Sequence, residues 1–137
     1  MEKQSQRRLI LKWISRMTIT PMLLELGMGT SLRSGSYTKA ACRAVQNALW
    51  RNSINLAEVF GAQKSDMLIF VEIACQNPAK IDLNAVIAEF PYGAVTTIAV
   101  SGGLDIPNPH TLGTHPAIIA HAAIRVTLDL DLREQLQ

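Results

Sequence analysis

The chain has 137 residues, of which 48% are hydrophobic, 18% charged and 5% aromatic. That length is enough for one domain with a core held by its own packing, and the composition excludes disordered, collagen-like and disulfide-rich proteins. The formal net charge of +2 is too small to indicate nucleic-acid binding by itself, and no apolar run approaches the ~20 residues that cross a bilayer.

Residues 1–20 form a basic segment. Five lysines and arginines lie there against Glu2 alone, so the segment carries +4 (five minus one) and the rest of the chain carries −2. It is predicted to be a basic arm or a first strand. No basic groove with interleaved aromatic residues follows it, so nucleic acid is not the expected partner. Lys12 interrupts the apolar residues 9–11, which disfavours a signal peptide, and the cytoplasm is the expected location.

The next part of the chain predicts a strand, a loop and a helix. The apolar strand covers residues 22–26 and ends at Gly27, and a loop rich in glycine and serine covers residues 28–35. Ser36 is a typical N-cap for a helix that reaches about Arg51. Apolar residues recur there at intervals of three and four, which predicts one buried helix face. These residues are Ala41, Cys42, Val45, Ala48 and Leu49.

The second half predicts strands around a short helix. The run 67–74 is too short and too β-branched for a helix, so it is predicted as a strand. Asp82 is the expected cap of a short helix over residues 83–90, and a strand follows over residues 94–100. After a long loop, residues 117–130 alternate apolar and polar side chains, which is typical of a strand with one buried face.

Together these elements predict a single α+β domain over residues 21–132, in which two helices back one face of a mixed β-sheet. Residues 133–137 are expected to be a frayed tail. No predicted element remains to cover the other face of the sheet. A homo-oligomer is therefore the expected way to cover it.

The G-x-G sequence that starts at Gly27 lies between a predicted strand and a predicted helix, as phosphate-binding turns do. Leu32 stands where a dinucleotide motif has its third glycine, so that motif is incomplete. Two interpretations remain open. The glycines serve a tight turn, or Gly27 and Gly29 supply amides to an anion that Arg33 and Lys39 also bind.

Metal and thiol chemistry are disfavoured. The three histidines, His110, His115 and His121, do not match the spacing of zinc sites. Neither Cys42 nor Cys75 belongs to a C-x-x-C pair. Cys42 lies in a helix-like run and Cys75 at the end of an apolar run, so both are expected to be reduced core residues, as in cytosolic proteins. No metal or other cofactor is therefore expected.

Two carboxylates, Glu25 and Glu72, lie within predicted apolar strands. Each must face solvent, pair with a cation, or act as an acid or base with a raised pKa. An ion pair at a subunit interface and general acid–base catalysis both remain open. The available cations are Lys39, Arg43 and Arg125. Ser101 precedes two glycines and is a candidate nucleophile or oxyanion-binding turn, with a plain strand-ending turn as the alternative.

Several stretches of the chain carry a family resemblance. They are L-E-L-G-M-G from Leu24, T-K-A-A-C-R-A-V from Thr38, F-P-Y-G from Phe90, the pair Gly102-Gly103 and the last alternating strand. Together they resemble a family of conserved hypothetical proteins that was first catalogued from a Listeria locus with a "lin" label. The resemblance covers about residues 21–130 and leaves the basic arm outside.

The signature of that family near the first glycines runs G-x-G-x-D-x-H-G. Gly27 and Gly29 match it, whereas the Asp, His and last Gly positions are occupied by Ser31, Arg33 and Ser34. The resemblance therefore implies an altered ligand, or an inactive subunit that assembles with a paralogue retaining both residues. The family has no established activity to carry over.

The predicted order of elements also resembles the chorismate-mutase-like and YjgF-like layer sandwich, whose members form trimers with small-molecule pockets between subunits. Ring-opening amidohydrolases of the cyanuric acid hydrolase type are similar and use Lys, Ser and Arg, here Lys39, Ser101 and Arg125. The resemblance implies a homo-oligomer that binds a small anionic or polar molecule at its interfaces, with Glu25 or Glu72 as the acid–base group. The alternative is a non-catalytic structural or regulatory subunit.

Overall fold

The computed structural model describes residues 5–9, 22–51, 67–91, 93–107 and 115–128. Residues 5–9 are helical. The elements after them are β1 (Met22–Ser31), α1 (Tyr37–Arg51), β2 (Met67–Cys75), a 3-10 turn (Pro78–Lys80), α2 (Leu83–Ile87), β3 (Ala94–Ser101), β4 (Leu104–Ile106) and β5 (Ala117–Leu128). The predicted α+β class is confirmed. Most of the predicted arm, the predicted tail and His110 lie outside the described residues.

The five strands form one mixed sheet in the order β1-β5-β2-β3. The long strand β5 is antiparallel to both of its neighbours, β1 and β2. The connection through α2 makes β3 parallel to β2. The short strand β4 is antiparallel to the first residues of β5. The sheet is therefore mixed, as the sequence predicts, and β5 ties three other strands together.

One face of the sheet is covered by α1 and α2. The side of α1 that faces the sheet consists mostly of alanines, and these are fully buried together with Val45. Val71 and Ile73 of β2 and Ile118 of β5 are also fully buried in the same cluster. Small helix side chains let the helix axis approach the sheet closely, so the core is thin and densely packed.

The predicted turn at the first glycines is wrong, because β1 continues through them to Ser31. Neither glycine has a positive φ. A Cβ atom on Gly27 would lie 2.1 Å from the carbonyl oxygen of Ala44, and one on Gly29 would lie 2.2 Å from that of Ala40. Glycine is required here because the backbone of α1 lies directly against β1, and not because the chain turns.

The predicted helix caps are confirmed, and two element boundaries differ. Ser36 Oγ accepts a hydrogen bond from the N–H of Lys39 at 3.1 Å, and Asp82 accepts from the first amides of α2. The helix α2 ends at Ile87 rather than at Phe90, because the N–H groups of Glu89 and Phe90 bond three residues back, to the carbonyl oxygens of Val86 and Ile87, in a tighter turn. The loop predicted after Ser101 contains β4, which follows a turn at Gly103 with φ +61°.

Candidate functional site

The sheet face turned away from α1, here called the open face, carries large apolar side chains that are exposed to solvent. Leu24, Leu26 and Met28 of β1 are 48%, 60% and 53% exposed, and Leu104 and Ile106 of β4 are 55% and 44% exposed. These five residues are called the apolar patch. Strand register places all five on the open face, since they pair with odd-numbered residues of β5. Large apolar side chains exposed on one sheet face mark an interaction site.

A part of the open face, on β2 and β3, is covered. Phe70 of β2 and Ile98 of β3 are each 2% exposed, and they form a second small core with Leu9 of the helical residues 5–9 packed against it. Leu68 and Val100 also contact this core. The segment that contains Leu9 therefore packs over β2 and β3, whereas the five residues of the apolar patch, on the two strands β1 and β4 that flank β5 on opposite sides, stay exposed.

Three polar side chains interrupt the apolar surface of the open face. Arg125 of β5 lies over the ring of Phe70, 5.8 Å from its centroid, which is a cation–π contact. Glu72 lies two residues further along β2, opposite Ala123, and has no ion-pair partner among the described residues. His121 is exposed beside Met28. The open face thus presents charges of opposite sign at its centre.

The two carboxylates predicted as acid–base candidates lie on opposite faces of the sheet. Glu25 pairs in register with Ile124, on the face covered by α1, whereas Glu72 lies on the open face. Glu25 lines a cavity of about 50 Å³ with Leu49 of α1 and Phe90, among other apolar residues. Because the sheet separates them, the two carboxylates do not form a catalytic pair.

The predicted cations are not brought together at one site. The guanidinium Nη1 of Arg43 donates to the carbonyl oxygen of Thr30 at 2.7 Å, so Arg43 lies against the end of β1. Lys39 is exposed one helical turn earlier, and Arg33 is exposed in the connection between β1 and α1. Arg125 lies on the open face instead. The anion site predicted at Gly27 and Gly29 assumed a turn, and the structure has a strand there instead. The binding role of these residues stays a prediction.

Ser101 lies at a third place, the end of β3, where it lines a cleft of about 370 Å³. The other lining residues include Gln6, Pro78, Ile81 and Leu83. The volume falls within the range of small-molecule pockets. No histidine or carboxylate lines this cleft among the described residues, so Ser101 has no general base beside it.

A polar cluster at the start of α1 was missed by the sequence reasoning. The hydroxyl of Tyr37 donates to Oδ2 of Asp105 on β4, and the other carboxylate oxygen is buried without a hydrogen-bond partner. The hydrogen bond to Asp105, together with burial and the charge of that carboxylate, raises the pKa of Tyr37 to about 12. This pair fastens β4 to α1, and the raised pKa extends the range in which the phenol stays protonated into alkaline pH. Neither residue belongs to a motif, so no sequence signal joined them.

Other polar residues lie near this pair, at the end of the sheet where Ser31 and Asp105 both pair with Ile118 of β5. Ser31 is buried, and its hydroxyl is 2.8 Å from that of Ser34. Gly35 has φ +65°, and a Cβ atom on it would lie 2.6 Å from Nδ1 of His115. The connection between β1 and α1 therefore closes directly onto the imidazole of His115.

Neither cysteine is activated. Burial raises the pKa of Cys75 and also that of Cys42, whose thiol lies 3.7 Å from the carbonyl oxygen of Ala85. A thiol with a raised pKa carries little thiolate at neutral pH, so it is a poor nucleophile and metal ligand. Within the described ranges, no three His, Cys, Asp or Glu residues are grouped so that they could hold a metal ion. No described helix is long and apolar enough to span a membrane.

Comparisons with known proteins give a family and a fold. Residues 21–126 match the model of a family described as "Conserved hypothetical protein (Lin0512_fam)". A crystal structure of an FtsZ-like protein of unknown function from Nostoc punctiforme is 31% identical, with a TM-score of 0.71, and the match covers 80% of this chain and 96% of that chain. No curated protein matches the chain. The family resemblance is confirmed, and the chorismate-mutase-like topology stays a prediction.

Proposed function

We propose that this chain, which belongs to the Lin0512 family of conserved hypothetical proteins, is a non-catalytic structural subunit of a homo-oligomer assembled through its open face. The observation that carries this proposal is the apolar patch, in which five large side chains on one sheet face are 44% to 60% exposed. Water contact with so much apolar surface on one sheet face is unfavourable, and covering it stabilises an assembly.

The charges on the open face favour a second copy of the same chain as the molecule that covers this face. Arg125 and Glu72 have opposite signs, both are half-buried, and neither has an ion-pair partner among the described residues. A two-fold axis through the open face sets Arg125 of one copy against Glu72 of the other, while the apolar patches cover one another. Such an isologous contact closes on itself and gives a defined oligomer.

Catalysis has less support. The amidohydrolase resemblance requires Lys39, Ser101 and Arg125 to act together, but these residues lie on α1, at the end of β3 and on the open face, respectively. Ser101 lacks a neighbouring base among the described residues, and Glu25 and Glu72 are separated by the sheet. The described residues therefore bring together no set of groups that would perform the predicted chemistry.

The solution mass of the protein tests the proposal. Sedimentation or light scattering over a concentration series should give an oligomer for the wild-type chain and a monomer for Ile106→Lys, which places a charge in the apolar patch. The matched control is Ala88→Lys, which adds the same charge at an exposed position after α2 and should remain an oligomer. A monomeric wild type, or an oligomer that tolerates Ile106→Lys, contradicts the proposal.

A second candidate function is the binding of a small polar molecule in the cleft at Ser101. The cleft volume of about 370 Å³ and its two polar lining residues, Ser101 and Gln6, favour it. A native mass spectrum of the purified protein should then show a retained small molecule. Ala79→Trp fills the cleft and should remove that mass, whereas Ala88→Trp should not; a spectrum without any retained mass in the wild type contradicts this candidate.

A further inference from the structure

The strand β1 forms one edge of the sheet, because β5 is its only strand partner among the described residues. The register between β1 and β5 is continuous from Met22 to Ser31, without a bulge. In such a strand the N–H and C=O groups of successive residues point alternately to one side and the other. Half of the backbone polar groups of β1 therefore point away from the sheet.

Two side chains of α1 identify which residues these are. The N–H of Met28 donates to Oδ1 of Asn47 at 3.1 Å, and the carbonyl oxygen of Thr30 accepts from Arg43. The even-numbered residues thus direct their backbone groups to the free edge. Asn47 and Arg43 occupy the second half of that edge and block strand addition there, as protective side chains on edge strands do.

No described residue blocks the first half of the same edge. By the same alternation, Leu24 and Leu26 direct their N–H and C=O groups outward, and these groups have no hydrogen-bond partner among the described residues. The side chains of both residues are also about half exposed. An unpaired, apolar stretch of edge strand is a template for pairing with another strand.

We infer that two copies of this chain pair through this half-edge, antiparallel and centred on Leu24. In that register Leu24 lies opposite Leu24 of the second copy, and Met22 lies opposite Leu26. About six backbone hydrogen bonds form, since every outward N–H and C=O group from Met22 to Leu26 finds a partner. The two five-stranded sheets become one continuous sheet.

The strand that pairs with this half-edge belongs to a second copy of the chain, because the free stretch of β1 can pair antiparallel with an identical stretch. It begins where β1 begins, at Met22, and it ends before Met28, whose amide is already bonded to Asn47. A symmetric pairing centred on Leu24 fits between these two limits. It also sets Glu25 opposite Leu23 rather than opposite a second Glu25, so no like charges face each other directly.

This inference concerns the edge of β1 rather than the open face, and it rests on the proposed function only in that both require a second copy of the chain. The first test is Leu24→Pro, which removes the outward N–H at the centre of the pairing. Proline is tolerated in edge strands where the N–H points to solvent. The matched control, Leu24→Ala, retains the N–H and loses a similar amount of apolar side chain.

The dissociation constant of the dimer, measured by sedimentation, should rise at least about tenfold from Leu24→Ala to Leu24→Pro, because two hydrogen bonds of the interface are lost. Equal dissociation constants overturn the inference. Hydrogen exchange of the wild-type protein tests it without a variant. The amides of Leu24 and Leu26 should be protected when the dimer forms and exchange rapidly on dilution, whereas Met28 should not change; rapid exchange of Leu24 at all concentrations overturns the inference.

The variant Ile106→Lys separates the two surfaces. A dimer that resists Ile106→Lys but not Leu24→Pro supports the edge pairing and contradicts the proposed contact of open faces. A dimer with the opposite sensitivity overturns the edge pairing and leaves the proposed function standing. A wild-type chain that is monomeric at every concentration overturns both.

Discussion

The two faces of β1 place small and large residues in opposite environments. On the face toward α1, Gly27 and Gly29 lie against helix backbone, with room for no Cβ atom. On the open face, the alternating residues Leu26 and Met28 are more than half exposed. Burial in this strand therefore does not follow side-chain size. The close approach of α1 selects for the absence of side chains on one face, and the apolar side chains of the other face remain available for contacts between molecules.

The largest difference in stability is expected between two truncations, one isoleucine on each face of the sheet. Ile73→Ala removes a fully buried side chain beneath α1, and the free energy of unfolding should fall by about 3–4 kcal/mol. Ile106→Ala, at a 44% exposed position of the open face, should lower it by less than about 1 kcal/mol in the monomer. Urea denaturation measures both; equal losses would mean that the open face is as well packed as the covered one.

Adding a methyl group at the helix contact should have the next largest effect. Gly29→Ala forces a Cβ atom to within 2.2 Å of the backbone of α1, so helix and strand must separate, and the free energy of unfolding should fall by about 2–3 kcal/mol. Leu26→Ala on the opposite face is the control and should change it by less than about 1 kcal/mol in the monomer. A tolerated alanine at position 29 would refute the close contact of α1 with β1.

Removing a side chain that blocks the edge of β1 should lower stability by a smaller amount. Asn47→Ala removes the acceptor of the Met28 amide, which should cost about 1 kcal/mol of unfolding free energy and speed hydrogen exchange at that amide. Gln46→Ala, which removes an exposed hydrogen bond to Glu89, should change stability by about half as much or less. An unchanged exchange rate of the Met28 amide in Asn47→Ala would contradict the assignment of the edge.

The smallest expected effect is confined to alkaline pH. Because the pKa of Tyr37 is raised from 10.0 to about 12 in the folded protein, its protonated form contributes stability that is fully present below pH 10 and is lost as the pH rises from 10 toward 12. Tyr37→Phe removes the ionisable group and should make the decline of stability in this window shallower. Denaturant titrations of both proteins between these pH values compare the slopes, and parallel curves would contradict the raised pKa.

Local signals in the sequence predicted most of the elements but not their contacts. Ser36 and Asp82 mark helix starts through their own side chains, so both caps could be predicted. The role of Gly27 and Gly29 could not, because it depends on α1 lying across β1, and a G-x-G sequence between a strand and a helix also fits a turn. The strand β4 has only three residues, too few for an alternating pattern.

The candidate site was less predictable than the fold, because it depends on strand register. Glu25 and Glu72 both lie in apolar strands, and only the pairing of each with β5 shows that they lie on opposite faces. The contact of Arg125 with Phe70 likewise follows from register. Tyr37 and Asp105 are 68 residues apart in the chain, and nothing local to either residue indicates the other.

The central position of β5 in the sheet delays completion of the sheet until late in synthesis of the chain. Among the described residues β1 has no strand partner except β5, so β1 and α1 emerge from the ribosome long before residues 117–128 exist to complete their sheet. Contacts between such distant segments form slowly, and the apolar residues of β1 stay accessible to chaperones and to other nascent chains in the meantime.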